Sequence, residues 1–219
     1  RQYDGTALTG SYTNEGLADG DVLAATVNGS QTCVGESANE IMGYSVTRFG
    51  VDVTDQYTVT TVDGLLKVTP VTTGFDCPAT VTLTLNDCSD VMYVTEGQLG
   101  DPAHALITAG HATATSNLTS LNPMSEGTRL VTWSLRDDCG NEMTTCTQFV
   151  TVQYAPCVGV SYQGHDYNAV RIGSQCWLAE NLRNTQDASG NDIADFVAYN
   201  NDNDNVDAYG YLYSWYSAV

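Results

Sequence analysis

The feature that most constrains this chain is the alternation of short Thr- and Val-rich runs with turn dipeptides. The runs DVLAATV, YSVTRF, QYTVTTV and LLKVTP are separated by DG, NG, GE and DG. Extended chain sends successive side chains to opposite faces, so each run can bury one face, and only against another sheet. In LVTWSL, Val131, Trp133 and Leu135 fall on one face and Thr132 and Ser134 on the other. DDCGNE then supplies Asp138, Gly140 and Asn141 for a tight hairpin turn. The pattern predicts a mainly β chain. Two tandem β-sandwich-type modules cover 1–70 and 71–155, with the boundary after Pro70, which ends the last strand of the first.

The segment 156–219 reads differently. YNAVRIG is a strand that Gly173 breaks, and Ser174 is suited to cap a helix. Trp177, Leu178 and Leu182 follow at helical spacing, with Glu180 early, where the helix dipole favours it. This predicts one short helix with Trp177 and Leu178 as core anchors, hence a mixed α+β domain. The rest is polar and loop-like.

Seven cysteines stand at 33, 77, 88, 139, 146, 157 and 176. None has the C-x-x-C spacing of a zinc or redox motif, and disulfides of an exported protein are the better reading. Cys77, Cys88, Cys139 and Cys146 lie inside the second module, so two internal bridges and three connectivities are open there. Cys176 pairs with Cys157 or with a residue beyond the chain. The odd count leaves Cys33 as the free or intermolecular thiol. His104, His111 and Asp101 are not spaced as a metal site.

Charge excludes one large class of function. The 219 residues carry 7 Lys+Arg against 26 Asp+Glu, a formal net charge of −19. Such a surface repels phosphate backbones, so no nucleic-acid partner is expected. No run approaches the roughly 18 apolar residues of a membrane span, and the N-terminus has no apolar signal core, as expected for a processed or excised piece.

Three resemblances add to this reading. YDGTAL, GLADGD, CVGESANEI and VTDQYTVTTVDGLLKVTP together resemble an Ig-like or β-grasp-like surface repeat of large secreted bacterial proteins, which implies a spacer. The closing hairpin of 71–155, with its T-W-x-x-x-D-x-C-G-N-x-x-x-C shape, is similar to the hyalin-type Ig-like repeat. In such sandwiches first and last strands often pair in parallel, which brings Cys77 to Cys146. From residue 157 on, G-x-x-Y-x-x-V-x-I-G-x-Q-x-W-x-x-E-N-L and then Y-G-Y-L-Y-x-W-Y-x-A-V resemble the major paralogous domain of Fibrobacter succinogenes. The matching positions run from Gly164 to Leu182 and from Tyr209 to Tyr216. That family is widespread in secreted proteins of Bacteroidetes and Fibrobacteres. The resemblance implies a surface location and a role in attachment or assembly, and no activity. The family continues into a C-P-x-G-W-x-x-P segment, so the third module is expected to be incomplete at Val219.

Two stretches could carry binding. Asp202, Asp204 and Asp207 in NNDNDNVD resemble part of a calcium loop, without the turn glycine and closing glutamate of an EF-hand. Calcium is the one cofactor the sequence offers, against an ordinary polar loop. In YGYLYSWY, Tyr209, Tyr211, Tyr213 and Trp215 share a face if extended. They serve as domain core, as a platform for sugar rings, or as an edge for another copy. No G-x-S-x-G, H-E-x-x-H or P-loop is present. The sequence thus predicts a non-catalytic, extracellular cell-surface protein, part of a fibre, filament or adhesin stalk. Its partners are other copies or neighbouring domains of the same protein; the alternative is a carbohydrate-binding adhesin module.

Overall fold

A computed structural model describes residues 1–85 and 89–217. DVLAATV lies in the strand Asp21–Asn28, antiparallel to the long strand Gly35–Arg48. Leu23 pairs with Val46 and Ala25 with Tyr44, after which the register shifts between Thr26 and Val27 and pairs Val27 with Ile41. The shift leaves Met42 as the extra, exposed residue and returns Ile41 to the face of Tyr44 and Val46. The first part of the long strand, from Gly35 to Asn39, pairs instead with Gly64–Val68. QYTVTTV, expected as a strand, joins no ladder. Its start is diverted: a 3-10 turn at Thr54–Gln56 precedes it, and Tyr57 hydrogen-bonds its hydroxyl to Asp21.

The opening YDGT is spent on a junction. The Tyr3 amide donates to Thr69 O, and its buried ring carries the hydroxyl to His111 O at 2.8 Å, beside Asp138 Oδ2 at 3.1 Å. Gly5, at φ +82°, passes so close to the His111 ring that a Cβ there would lie 2.1 Å from Cγ, so only glycine fits. Tyr3, Val68, Ala112, Leu135 and Met143 form one apolar cluster, with Leu8, Val34, Phe75 and Leu106 packed against it.

In the second segment the strands Val81–Leu85, Glu142–Tyr154, Gly127–Asp137 and Ala112–Ser116 form a four-stranded sheet in that order. The alternation of LVTWSL is kept: Val131 and Leu135 are fully buried and Trp133 is 3 % exposed. A buried polar group could destabilise this layer, but Gln148 is fully used. It accepts from Trp133 Nε1 at 3.0 Å and donates to Ala79 O and Leu99 O at 2.7 and 2.8 Å. Cys77 is bonded to Cys146.

The third segment is built of two-stranded hairpins. Val160–Tyr162 pairs with His165–Tyr167, Ala169–Ile172 with Gln175–Leu178, and Phe196–Ala198 with Tyr211–Tyr213. The helix expected from Ser174 onward is absent. Gly173 adopts φ +62° at the first position of a two-residue turn, so Gly-Ser closes a hairpin in which Ile172 faces Gln175. Trp177 is 53 % exposed and Leu178 38 %, and neither anchors a core. Among the described residues, the buried side chains of this segment are Tyr167, Asn184 and Ala198. A single helical turn occurs later, at Val206–Tyr209.

Compactness divides the chain into two units. One comprises Arg1–Val81, Tyr93–Asn122 and Thr128–Thr151, and the other Thr82–Met92, Pro123–Gly127 and Val152–Val219. The first therefore draws on both leading segments. Among the described residues no helix is long and apolar enough to cross a membrane.

Candidate functional site

The cysteines resolve differently from the sequence expectation in one respect. Cys33 is not a free thiol: it is bonded to Cys139, across 106 residues of chain. Cys139 is therefore not available for a second bridge within 71–155, and Cys88 lies outside the described residues. Beside this bond sits the Asp137 carboxylate, the aspartate of the T-W-x-x-x-D-x-C-G-N pattern, to which the sequence assigned no role. Its Oδ1 accepts the amides of Cys139 and Asn141 at 2.9 and 2.8 Å, and its Oδ2 accepts Val34 N at 2.8 Å and Asn141 Nδ2 at 3.0 Å. One side chain thus fixes both the hairpin turn and the chain beside Cys33. Burial disfavours the charged form of Asp137, but these hydrogen bonds outweigh it and hold the carboxyl below its usual range. Cys33, Asp137 and Cys139 bring three ligand-type atoms within 4.8 Å. The two sulfurs are bonded to each other and the carboxylate is saturated with N–H donors, so the cluster is a brace rather than a metal centre. Cys157 is bonded to Cys176, which clamps the Gly-Ser hairpin.

The calcium candidates do not converge. Asp202 accepts the Asp204 amide at 3.0 Å and caps the 3-10 turn Asn203–Asn205, while the 99 % exposed Asp207 side chain lies 3.6 Å from Arg183. Among the described residues, Asp202, Asp204 and Asp207 form no group whose oxygens lie within 4.8 Å of one another. His104 and His111 also go separate ways: His104 caps a helical turn through the Leu106 amide, and His111 lies 3.6 Å from Asp138.

The aromatic run does not form one extended face. Tyr209 ends a helical turn, Gly210 at φ +67° redirects the chain, Tyr211 and Tyr213 pair with Ala198 and Phe196, and Trp215 starts a 3-10 turn, 75 % exposed. Tyr211 and Tyr213 cluster with Phe196, at ring distances of 4.7 and 6.3 Å. Burial pushes the Tyr213 phenol up, and its hydroxyl donates to Asn184 O at 2.7 Å. Tyr209 instead pairs with Tyr199 at 5.2 Å and remains half exposed.

A concentration of polar side chains in this segment was not singled out as a site from the sequence. Glu180 receives Arg183 Nη2 at 2.7 Å and lies 3.2 Å from His165 Nε2. Asn181 donates to Tyr209 O at 2.7 Å, and the Tyr211 amide to Leu182 O at 2.9 Å. A Cβ on Gly210 would lie 2.7 Å from that of Asn181. The E-N-L and Y-G-Y motifs therefore meet, and between them lies a cavity of about 290 Å³ lined by Glu180, Asn181, Arg183, Tyr209 and their neighbours. Of the groups lining it, the buried Arg183 Nε has no hydrogen-bond partner. The donors, one carboxylate and one half-exposed ring can hold a small polar molecule; no nucleophile and base are paired here.

No curated protein matches the chain. Residues 170–219, which supply both motifs around this cavity, match the family model of the Fibrobacter succinogenes major domain, and in this part the chain is similar to that family.

Proposed function

We propose that the chain is a non-catalytic part of a modular, extracellular cell-surface protein, a stalk or fibre whose copies touch one another. The observation that carries this reading is the bracing of the two leading β segments. The Cys33–Cys139 bond, the Asp137 carboxylate and the Tyr3 hydroxyl link residues more than a hundred positions apart. Such cross-links suit a spacer under load better than a catalyst that must open and close. Three disulfides fit an extracellular protein, and the match at 170–219 points to a surface-associated domain. The test is electron microscopy of the native protein with antibody labelling of intact producing cells. Labelled fibres or projections are expected; monodisperse particles and unlabelled cells would end the proposal.

A second reading has its own observation, the half-exposed Tyr209 ring beside the Glu180–Arg183 cavity. A sugar offers an apolar face to the ring and hydroxyls to the polar groups. A glycan array without signal above that of a Tyr209→Ala variant rules this reading out.

A further inference from the structure

A cavity of about 600 Å³ lies in the first segment as an open groove. Its floor is the apolar face of the sheet: Leu23, Ala25, Ile41, Tyr44 and Val46, brought onto one side by the register shift at Thr26. Its walls are two lengths of chain, within 11–17 and 58–63, and neither makes any backbone-to-backbone hydrogen bond. Along the second wall Tyr57 and Val59 are half buried while Thr58 and Thr60 are exposed, the alternation of an extended strand. Two of the tyrosine hydroxyls at the groove are engaged internally, Tyr12 with Leu23 O at 3.2 Å and Tyr57 with Asp21 and the Ala18 amide. What the groove offers an occupant is therefore mainly apolar floor and open main chain, which suits an extended segment laid over the face of the sheet.

Charge selects the occupant. The three cations of residues 1–70 are each already paired, Arg1 with Asp4, Arg48 with Asp21 and Lys67 with Glu36. Glu15 stands in the wall, and Asp19, Glu40, Asp55 and Asp63 are exposed on the same segment without a cationic partner among the described residues. A second copy, at a net charge of −19, would bring its own carboxylates against these. We propose that this groove accepts an extended peptide segment of another protein, with alternate apolar side chains on the floor and Lys or Arg at the rim, which lies over the face of the sheet and pairs its main chain with the 58–63 wall. The proposal does not depend on whether the chain forms a fibre.

The test is panning of a phage-displayed library of random linear octapeptides on the intact chain, followed by titration of the synthetic consensus peptide. The expected consensus alternates apolar residues and carries Lys or Arg; its affinity falls as salt is raised, and amide exchange slows at 58–63. Thr60→Pro removes one wall N–H that makes no bond in the fold, and Ala25→Trp fills the floor. Each is expected to weaken the peptide about tenfold or more, the factor that corresponds to roughly 1.4 kcal/mol, with the melting temperature of the free protein unchanged. Failure to select any consensus, an acidic consensus, affinity indifferent to both variants, or slowed exchange only elsewhere would each overturn the proposal. So would concentration-dependent dimerisation of the wild type that both variants abolish, because the occupant would then be a second copy.

Discussion

At the scale of single residues, Asp137 is the group on which most depends. Its oxygens accept four N–H groups from Val34, Cys139 and Asn141. In Asp137→Asn one of the two oxygens becomes an NH2 that faces donors, and the expected loss is roughly 2–4 kcal/mol, the cost of leaving about two buried donors without an acceptor. Chemical denaturation of the variant measures it. The same carboxylate and Asp21 make stability depend on acid. Arg48 and then Tyr57 hold Asp21 down to about 2, and Asp137 is also held below its usual value. A group depressed in the fold stabilises it at pH above the ordinary carboxylate range and ceases to do so as pH falls through its folded value. Melting temperature should thus be flat from neutral to about pH 4 and decline below it toward pH 2. Asp21→Asn should flatten the lowest part of that decline. A melting curve independent of pH over this range would contradict both assignments.

Secondary-structure elements divide into those the sequence made plain and those it did not. The strand holding Val131, Trp133 and Leu135 was legible because one face is buried and the other is not. The mainly β class followed from the same periodicity. The third segment misled because four residues, Gln175 to Leu178, cannot distinguish a helical from an extended spacing. Ser174 is as good a second residue of a Gly-Ser turn as it is a helix cap. The two structures separate experimentally. Trp177 faces Val170 across the hairpin and is 53 % exposed, so Trp177→Ala should cost only about 0.2–1 kcal/mol, the worth of a cross-strand pair. A core anchor on a helix would cost about 3–5 kcal/mol. The cavity between E-N-L and Y-G-Y was illegible for another reason: its walls are some 28 residues apart in sequence, as for Asn181 and Tyr209, and local periodicity carries no information on which loops meet. Asp137 stands in the T-W-x-x-x-D-x-C-G-N pattern, but its bracing role was missed similarly, since its partner Val34 lies 103 positions away.

At the scale of the molecule, covalent closure dominates. The Cys33–Cys139 bond spans 106 residues and Cys77–Cys146 lies across 69. Chain entropy predicts roughly 4–5 kcal/mol for closing a loop of about 100 residues. Cys33→Ser with Cys139→Ser should therefore lower stability by about that much, and a variant pair that melts like the wild type would show that the bond contributes nothing. The groove wall at 58–63 lies inside the loop that this bond closes, and its main chain is unladdered. A broad-specificity protease should cut there. The cut pieces would stay tethered, migrating as one band without reductant and as two with it. For a protein outside the cell this amounts to damage tolerance: a backbone severed in this wall leaves the molecule in one piece.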